Sequence, residues 1–338
     1  MRKSLLAATV SLTLLAAMND AEARDDLRII GSSTVFPFAT ATGEMLTKAG
    51  MPTPKITSTT SGKGMKIFCS GVGAGFPDIA NTSRPISGKE VKDCAQNGVE
   101  YTEVKVGNDA NVLAFRSELG VLQLTGEQIW RAVAAQVPVD GVLAANPYRM
   151  WNEIDPSLPA KPIQVYGPPV GAGVRDGFVD QFIIPACAAD PAIAALPAEA
   201  MKETCSTFRA DGSFVEFEKA AEVMLALPES EAAVGMTSYS LIAPKAKENG
   251  LALAQINGVA PSPNTIAAGE YKGSQALYIY LKTAHLDTVP GIKEFAEEFV
   301  SDRASGKNGY LVAMGLVPLT DDQRREMQTR IASMAATN

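Results

Sequence analysis

Leu27-Arg28-Ile29-Ile30-Gly31-Ser32-Ser33-Thr34-Val35-Phe36-Pro37 is the stretch whose reading decides the fold. Its first four residues read as a strand, and Gly31 to Thr34 as a loop. A helix opens near Val35 to Pro37, because Pro37 suits a first helical turn, where its missing N–H costs nothing. The same order returns twice. Lys55 to Thr59 is a strand, Thr60-Ser61-Gly62-Lys63-Gly64 a loop, and Met65 to about Val72 a helix. Asp78-Ile79-Ala80 is a short strand, followed by the loop Asn81-Thr82-Ser83-Arg84-Pro85. Ser87 then caps a helix running to Cys94, with Glu90 completing a capping box. Strands alternating with helices imply an α/β fold around a largely parallel sheet. Ligands of such sheets bind beyond the carboxyl ends of the strands. The three loops are therefore expected to converge on one rim.

Further along, Tyr101 to Val106 alternates as a strand, and Thr125 with Gln128 makes a capping box for a helix through Ala135. Ile163 to Tyr166 is a strand, and the Gly/Pro-rich turn from Gly167 to Gly173 leads into a helix from Val174 to about Ile183. Val215 to Leu227 is helical by period, and Ala233 to Ile242 contains a strand. Asn257-Gly258 reads as a tight turn between strands. Ile292, Phe295, Ala296, Phe299 and Val300 share one helix face, and Thr320 is a candidate cap for a last helix.

At 338 residues the chain has room for about two domains. Its hydrophobic fraction of 46% and net charge of −7 argue against disorder. The acidic balance and the absence of Lys/Arg runs argue against nucleic acid or an anionic membrane surface as a partner. One histidine and four cysteines leave little material for a zinc site, and no cofactor is expected. No linker or internal repeat separates two halves, so the chain is expected to cross between domains more than once, near residue 110 and near residue 257.

The first 23 residues have the layout of a secretory leader. Met1-Arg2-Lys3 is a basic start, Leu5 to Ala17 an apolar run, and Ala21-Glu22-Ala23 an A-x-A cleavage site. The apolar run is too short to span a bilayer. Cleavage removes two charges of each sign, so the mature chain keeps −7. No later stretch is apolar enough to insert in a membrane, and a monomer is the default expectation. Export makes an even number of cysteines read as disulfides. Four cysteines allow three pairings. Cys69–Cys94 and Cys187–Cys205 are favoured, because each closes a short local loop; buried free thiols are the alternative.

Four loops then stand out: Gly31 to Val35, Thr60 to Gly64, Asn81 to Arg84 and Gly171 to Arg175. Each enters a helix, so each presents free backbone N–H groups and the positive end of a helix dipole. Ser32, Ser33, Thr34, Ser61, Thr82 and Ser83 add hydroxyls, while Arg84 and Arg175 add forked guanidinium donors suited to oxyanions. One such loop is ordinary capping. Four on one rim describe a cleft for a small oxyanion.

These segments also resemble the phosphate-binding (PstS-type) periplasmic proteins of bacterial ABC importers. The resemblance is carried by Gly31-Ser32-Ser33-Thr34-Val35-Phe36-Pro37-Phe38, by Phe68-Cys69-Ser70-Gly71-Val72-Gly73, and by Pro77-Asp78-Ile79-Ala80-Asn81-Thr82-Ser83-Arg84. Tyr166-Gly167-Pro168-Pro169 with Arg175-Asp176 and Phe178 is similar to the family's second-domain loop. The resemblance implies a two-lobed (type II) periplasmic-binding-protein fold. Each lobe would be a mixed sheet flanked by helices, with residues 24–110 plus 257–338 in one and 111–256 in the other. It implies ligand contacts from Ser33, Thr34, the Val35 backbone, Ser61, Gly62 and the Ser83-Arg84 corner. Gly173, Val174 and Arg175 would complete them from the second lobe. It further implies delivery of phosphate to an inner-membrane ABC permease from the periplasm.

Two departures bear on the ligand. The family's hydroxyl-rich second-lobe loop is replaced here by Gly171-Ala172-Gly173-Val174. Each missing neutral hydrogen bond is worth about 0.5–1.5 kcal/mol, more when the acceptor is charged. Some relatives place an Asp after the third-loop Ser to accept the proton of phosphate, and here that position is Arg84. Asp78, Asp109 and Asp176 are candidate substitutes. The small second-lobe residues leave room for a phosphonate, an organophosphate or a larger ligand. A secreted phosphoester hydrolase is disfavoured. The chain has no G-x-S-x-G elbow, and His285 lies far from the candidate loops.

Overall fold

The computed structural model describes Arg24 and residues 26–334 apart from residue 219. The expected leader, residues 1–23, lies outside the described residues. The first three strand–helix units form β1 (Arg28–Ser32), α1 (Phe36–Lys48), β2 (Lys55–Thr59), α2 (Ser61–Phe68), β3 (Ile79–Thr82) and α3 (Gly88–Gln96). β1 lies between β2 and β3 and runs parallel to both, so the three loops leave the sheet at one edge. α2 begins at Ser61 rather than Met65. Thr60 is extended, and its hydroxyl accepts the Lys63 N–H, so Ser61 to Gly64 form the first turn of α2 instead of a loop before it. The Ser87–Glu90 capping box forms as read.

β4 (Tyr101–Arg116) organises the rest. The sequence reading ends this strand at Val106, before the polar Gly107-Asn108-Asp109. The structure extends it to Arg116 because those polar groups find partners inside. The Asn108 backbone exchanges two hydrogen bonds with Val317, and the Asp109 carboxylate accepts the Ala110 N–H. Gly107 is needed there, since a Cβ would lie 2.6 Å from Leu316.

Beyond β4, the chain adds β5 (Gln123–Leu124), α4 (Gly126–Val133), β6 (Gln136–Val139), β7 (Val142–Ala145), α5 (Trp151–Ile154), β8 (Val165–Gly167) and α6 (Gly173–Phe178). β9 (Phe214–Glu216), β10 (Val234–Ser238), β11 (Leu251–Leu253), β12 (Gln255–Ile256) and β13 (Ser274–Lys282) complete the strands described. The sheet order is β2-β1-β3-β13-β4-β10-β8-β9, with β11 also on β4. The first part of β4 pairs antiparallel with β13 as far as Ala110, and its second part pairs with β10 from Asn111 to Phe115. One strand thus belongs to two sheet halves, each covered by its own core. Ile29, Phe38, Ile79, Val104, Phe295 and Phe299 fill the first core, while Trp130, Phe178, Ile183, Val223 and Met236 fill the second.

Asn257-Gly258 does make a tight turn, with φ of 52° and 78° and the Val259 N–H on the Ile256 carbonyl. That turn stays on the second core, where Asn257 Oδ1 accepts the Gly126 N–H, and Ile266 and Tyr271 pack beyond it. The chain rejoins the first half only at Ser274. The helical period of Val215–Leu227 is overridden at its start, since Phe214–Glu216 pairs parallel with β8 and the helix spans Ala220–Ala226. The helix expected through Ile183 begins at Gly173 and continues past Phe178 as a wider turn, Val179–Ile183.

Both favoured disulfides are present, Cys69–Cys94 and Cys187–Cys205. Cys69–Cys94 joins the end of α2 to α3 across 25 residues, a loop whose closure constrains the unfolded chain by roughly 3 kcal/mol. Cys69→Ser/Cys94→Ser is therefore expected to lower the urea midpoint clearly. An unchanged midpoint would deny the bridge that stabilising role.

Candidate functional site

Two glycines draw the first-half loops together. Gly31 has φ +141°, and a Cβ on it would sit 2.1 Å from the Asn81 carbonyl oxygen. A Cβ on Gly64 would sit 2.5 Å from Gly31 Cα. The end of β1, the first turn of α2 and the end of β3 therefore touch backbone to backbone, which only glycine permits. Gly31→Ala is expected to cost about 2–4 kcal/mol from overpacking and backbone strain, read as a fall in melting temperature. A variant as stable as the parent would contradict this close packing.

Ser61 and Ser83 meet at this junction. Ser61 Oγ accepts the Ser83 N–H at 3.1 Å and lies 3.3 Å from Ser83 Oγ. Gly62 adjoins Arg84, whose Nη2 would lie 3.6 Å from a Cβ there. Arg84 does not present a free fork. Its guanidinium makes two 2.8 Å bonds to Glu90, which also accepts the N–H and hydroxyl of Ser87. The hydrogen bond to Glu90 raises the already high Arg84 pKa, so the pair holds its charges firmly.

An open cleft of about 930 Å³ is lined by residues of both halves. Ser33 and Thr34 line it from the first half, Gly173 and Val174 from the second. A Cβ on Gly173 would lie 3.9 Å from Thr34 Oγ1, so the two loops face each other at short range. Neither α1, entered through Val35, nor α6, entered through Ala172, has a side-chain cap. Thr60, Ser87 and Thr125 cap α2, α3 and α4. Helices away from the cleft, at Ala198–Ser206 and Ile292–Phe299, also start without a side-chain cap, so the missing caps do not by themselves single out the cleft.

Of the residues expected at the ligand, Val35, Ser61, Gly62, Ser83 and Arg84 do not line the cleft, and neither does Arg175. It is 3% exposed, with its guanidinium 3.4 Å from the Phe208 ring centroid and 4.5 Å from that of Phe214. Its Nη1 reaches the Pro168 carbonyl at 3.4 Å, and its Nε has no partner. Burial lowers its pKa to about 10, partly offset by Glu216 and Asp176. The guanidinium is a cation stacked on aromatic faces beneath the 168–174 loop.

The three candidate carboxylates are also committed elsewhere. Asp78 receives Arg24, the Arg28 N–H and His285 Nδ1, at 2.6 to 2.7 Å. His285 is buried, and its Nε2 accepts the Gly73 N–H, a packing role. Asp176 accepts the Gly171 N–H at the exposed turn. Asp109 is fully buried and accepts the Ser240 hydroxyl at 2.7 Å and the Ser240 N–H at 2.9 Å. Ser238 and Ser240 line the cleft, and neither was marked from sequence. The signal was there in outline, because β10 ends at Ser238 and a helix begins at once with Tyr239 and Ser240.

An α/β molecule with two cores sharing a long strand, and a donor-lined cleft between them, has the architecture of a hinged binding protein. A model of the PBP superfamily domain matches residues 16–303, and the chain belongs to that family. Among curated proteins, it is similar to Protein SphX of a Synechocystis species, 25% identical over 318 residues, 91% of this chain and 82% of the relative. It is also similar to the phosphate-binding protein PstS of Staphylococcus saprophyticus, 23% identical over 87% of this chain and 82% of that one. Among solved structures, a possible phosphate-binding protein from Planctomyces limnophilus matches with TM-score 0.64 at 24% identity, over 91% of this chain and 98% of that one. A putative phosphate transporter substrate-binding protein from Clostridium perfringens, solved with bound phosphate, matches with TM-score 0.58 at 21% identity, over 87% and 100%.

Proposed function

We propose that the protein is a solute-binding protein that captures an oxyanion of the phosphate class between two lobes and delivers it to an inner-membrane ABC permease. The lobes are residues 24–110 with 274–338, and residues 111–273, hinged at Ala110–Asn111 and Gly273–Ser274. The carrying observation is the approach of Gly173 to Thr34 across the cleft, which lets one small guest touch both lobes. The hydroxyls of Ser33 and Thr34 supply donors on one side, and Val35, Ser61, Gly62 and Ser83 are proposed to join them. Backbone N–H groups at Gly173 and Val174 supply the other side. Arg84 and Arg175 contribute positive potential from paired and stacked positions. Relatives named for phosphate binding support this reading. Work outside the cytoplasmic membrane follows from the leader-like N-terminus, with cleavage after Ala23. The role is binding without turnover.

Titration calorimetry of inorganic phosphate into ligand-stripped protein tests it. One anion per chain is expected, with Thr34→Val weakening it about tenfold or more through loss of a hydrogen bond to a charged group. No heat of binding with phosphate would refute the reading. The apolar residues of the cleft favour a second reading, because Phe38, Met224, Leu225, Leu241 and Met314 all line it. A phosphonate or phosphate monoester with an apolar arm would cover them. Alkylphosphonate binding more tightly than phosphate decides for that alternative.

A further inference from the structure

We infer that Gln181 is a positioning residue for the cleft-facing start of α6, which it ties to both strands that pass between the two halves. The inference rests on the binding role proposed above and names a residue outside the cleft on which the second half's grip depends.

Gly177, in α6, and Gln181, in the wider turn that continues it, stand four residues apart and both meet Asn111. A Cβ on Gly177 would lie 2.0 Å from Asn111 Nδ2, so the glycine makes room for that amide. Gln181 Oε1 accepts from Asn111 Nδ2 at 2.8 Å, and Gln181 Nε2 donates to the Ser274 carbonyl at 3.3 Å. Asn111 stands in β4 where pairing passes from β13 to β10, and Ser274 is the first residue of β13. One half-buried side chain thus touches both crossing strands.

The donor directions follow from the chemistry. A backbone carbonyl only accepts, so Gln181 turns its NH₂ to Ser274 and its oxygen to Asn111, which must present its own NH₂. Asn111 is fully buried and its Oδ1 has no partner, so Gln181 is what holds this amide. The Asn111 backbone is fixed as well. Its N–H donates to the Gly273 carbonyl at 2.9 Å, and its carbonyl accepts the Tyr271 hydroxyl at 3.1 Å. A Cβ on Gly273 would lie 2.4 Å from that carbonyl oxygen, and the Tyr271 ring packs against Phe182, the residue after Gln181.

Gly173 and Val174 line the cleft at the other end of the same helical run. A wider turn inside a helix is a frequent mark of a functional site, and here that turn carries Gln181. Donors grip a guest well only when the element that carries them is itself held in place. By fixing the run against both crossing strands, Gln181 presents the Gly173 and Val174 N–H groups to Thr34 in one position.

Gln181→Met tests the assignment, because methionine keeps the length of the side chain and loses both hydrogen bonds. Calorimetry of inorganic phosphate into the ligand-stripped full chain is expected to show affinity at least tenfold weaker than the parent's. The measurement is made well below the melting temperature, where a loss of stability alone leaves affinity unchanged. Should Gln181→Met fail to fold, Gly177→Ala takes its place, since its methyl group pushes the Asn111 amide off Gln181. The readout specific to α6 is a double variant. In Gly173→Leu the second half's grip is already lost, so adding Gln181→Met should change the affinity by no more than about twofold. Parental affinity in the folded single variant overturns the assignment. So does an equal loss in both backgrounds, which would place the effect of Gln181 outside α6. A parent chain that binds no phosphate refutes the binding role itself, and this assignment with it.

Discussion

Gly173→Leu is expected to lower the affinity for inorganic phosphate by about a hundredfold or more, with the melting temperature little changed. Gly173 opens α6 at the cleft, and even a methyl group there would stand 3.9 Å from Thr34 Oγ1. A leucine fills the space in which donors from the two halves meet one guest, so it removes several charge-assisted hydrogen bonds together, each worth about 1.5–3 kcal/mol. Its backbone is that of an ordinary helix start and its Cβ meets nothing closer, so the fold has no reason to suffer. Calorimetry with a parallel melting curve checks both parts. Parental affinity in a folded Gly173→Leu protein would put the anion somewhere else.

Asp109→Asn is expected to make the protein more stable above pH 6. Burial raises the Asp109 pKa from 3.8 to about 6 in the folded state. A carboxyl that holds its proton more tightly when folded stabilises the fold at low pH, and that advantage is lost as pH rises from about 4 to about 6. At neutral pH the full cost of an ionised buried Asp109 is carried, about 3 kcal/mol at most for a shift near two units. The neutral amide has no such cost. Urea midpoints at pH 4 and pH 8 should diverge between parent and variant, with the variant ahead at pH 8. A variant less stable than the parent at pH 8 would mean the carboxylate is there for the fold, and not kept at the fold's expense.

The division between what the sequence discloses and what it hides follows the range of the interactions. The strand–loop–helix units at Ile29, Ile56 and Ile79, the Ser87–Glu90 box and the buried face of Ile292, Phe295 and Phe299 are set by neighbours in the chain, and periodicity and capping reveal them. Thr34 and Gly173, which line the cleft, are legible in the same way, as small residues where a strand or loop turns into a helix. The misreadings arise where distant groups decide. Asp109 sits in a strand only because Ser240, 131 residues later, satisfies it. The stacking of Arg175 on Phe208 and Phe214, distant in the chain, has no local marker. Arg84 looks free until Glu90 closes on it through a capping box whose second use the motif does not disclose. The passage of β4 between two cores has no local marker, because Gly107, Asn108 and Asp109 interrupt the apolar pattern where the strand continues.

The central claim is that one anion is gripped from both sides of the cleft. A crystal structure of the protein grown with arsenate, whose anomalous signal marks the ion, tests it most directly. The account predicts a single arsenate within hydrogen-bonding distance of both the Thr34 loop and the Gly173–Val174 N–H groups, with the two halves closed on it. An arsenate bound only to one half, or held at the Arg84–Glu90 surface with the cleft empty, would contradict it.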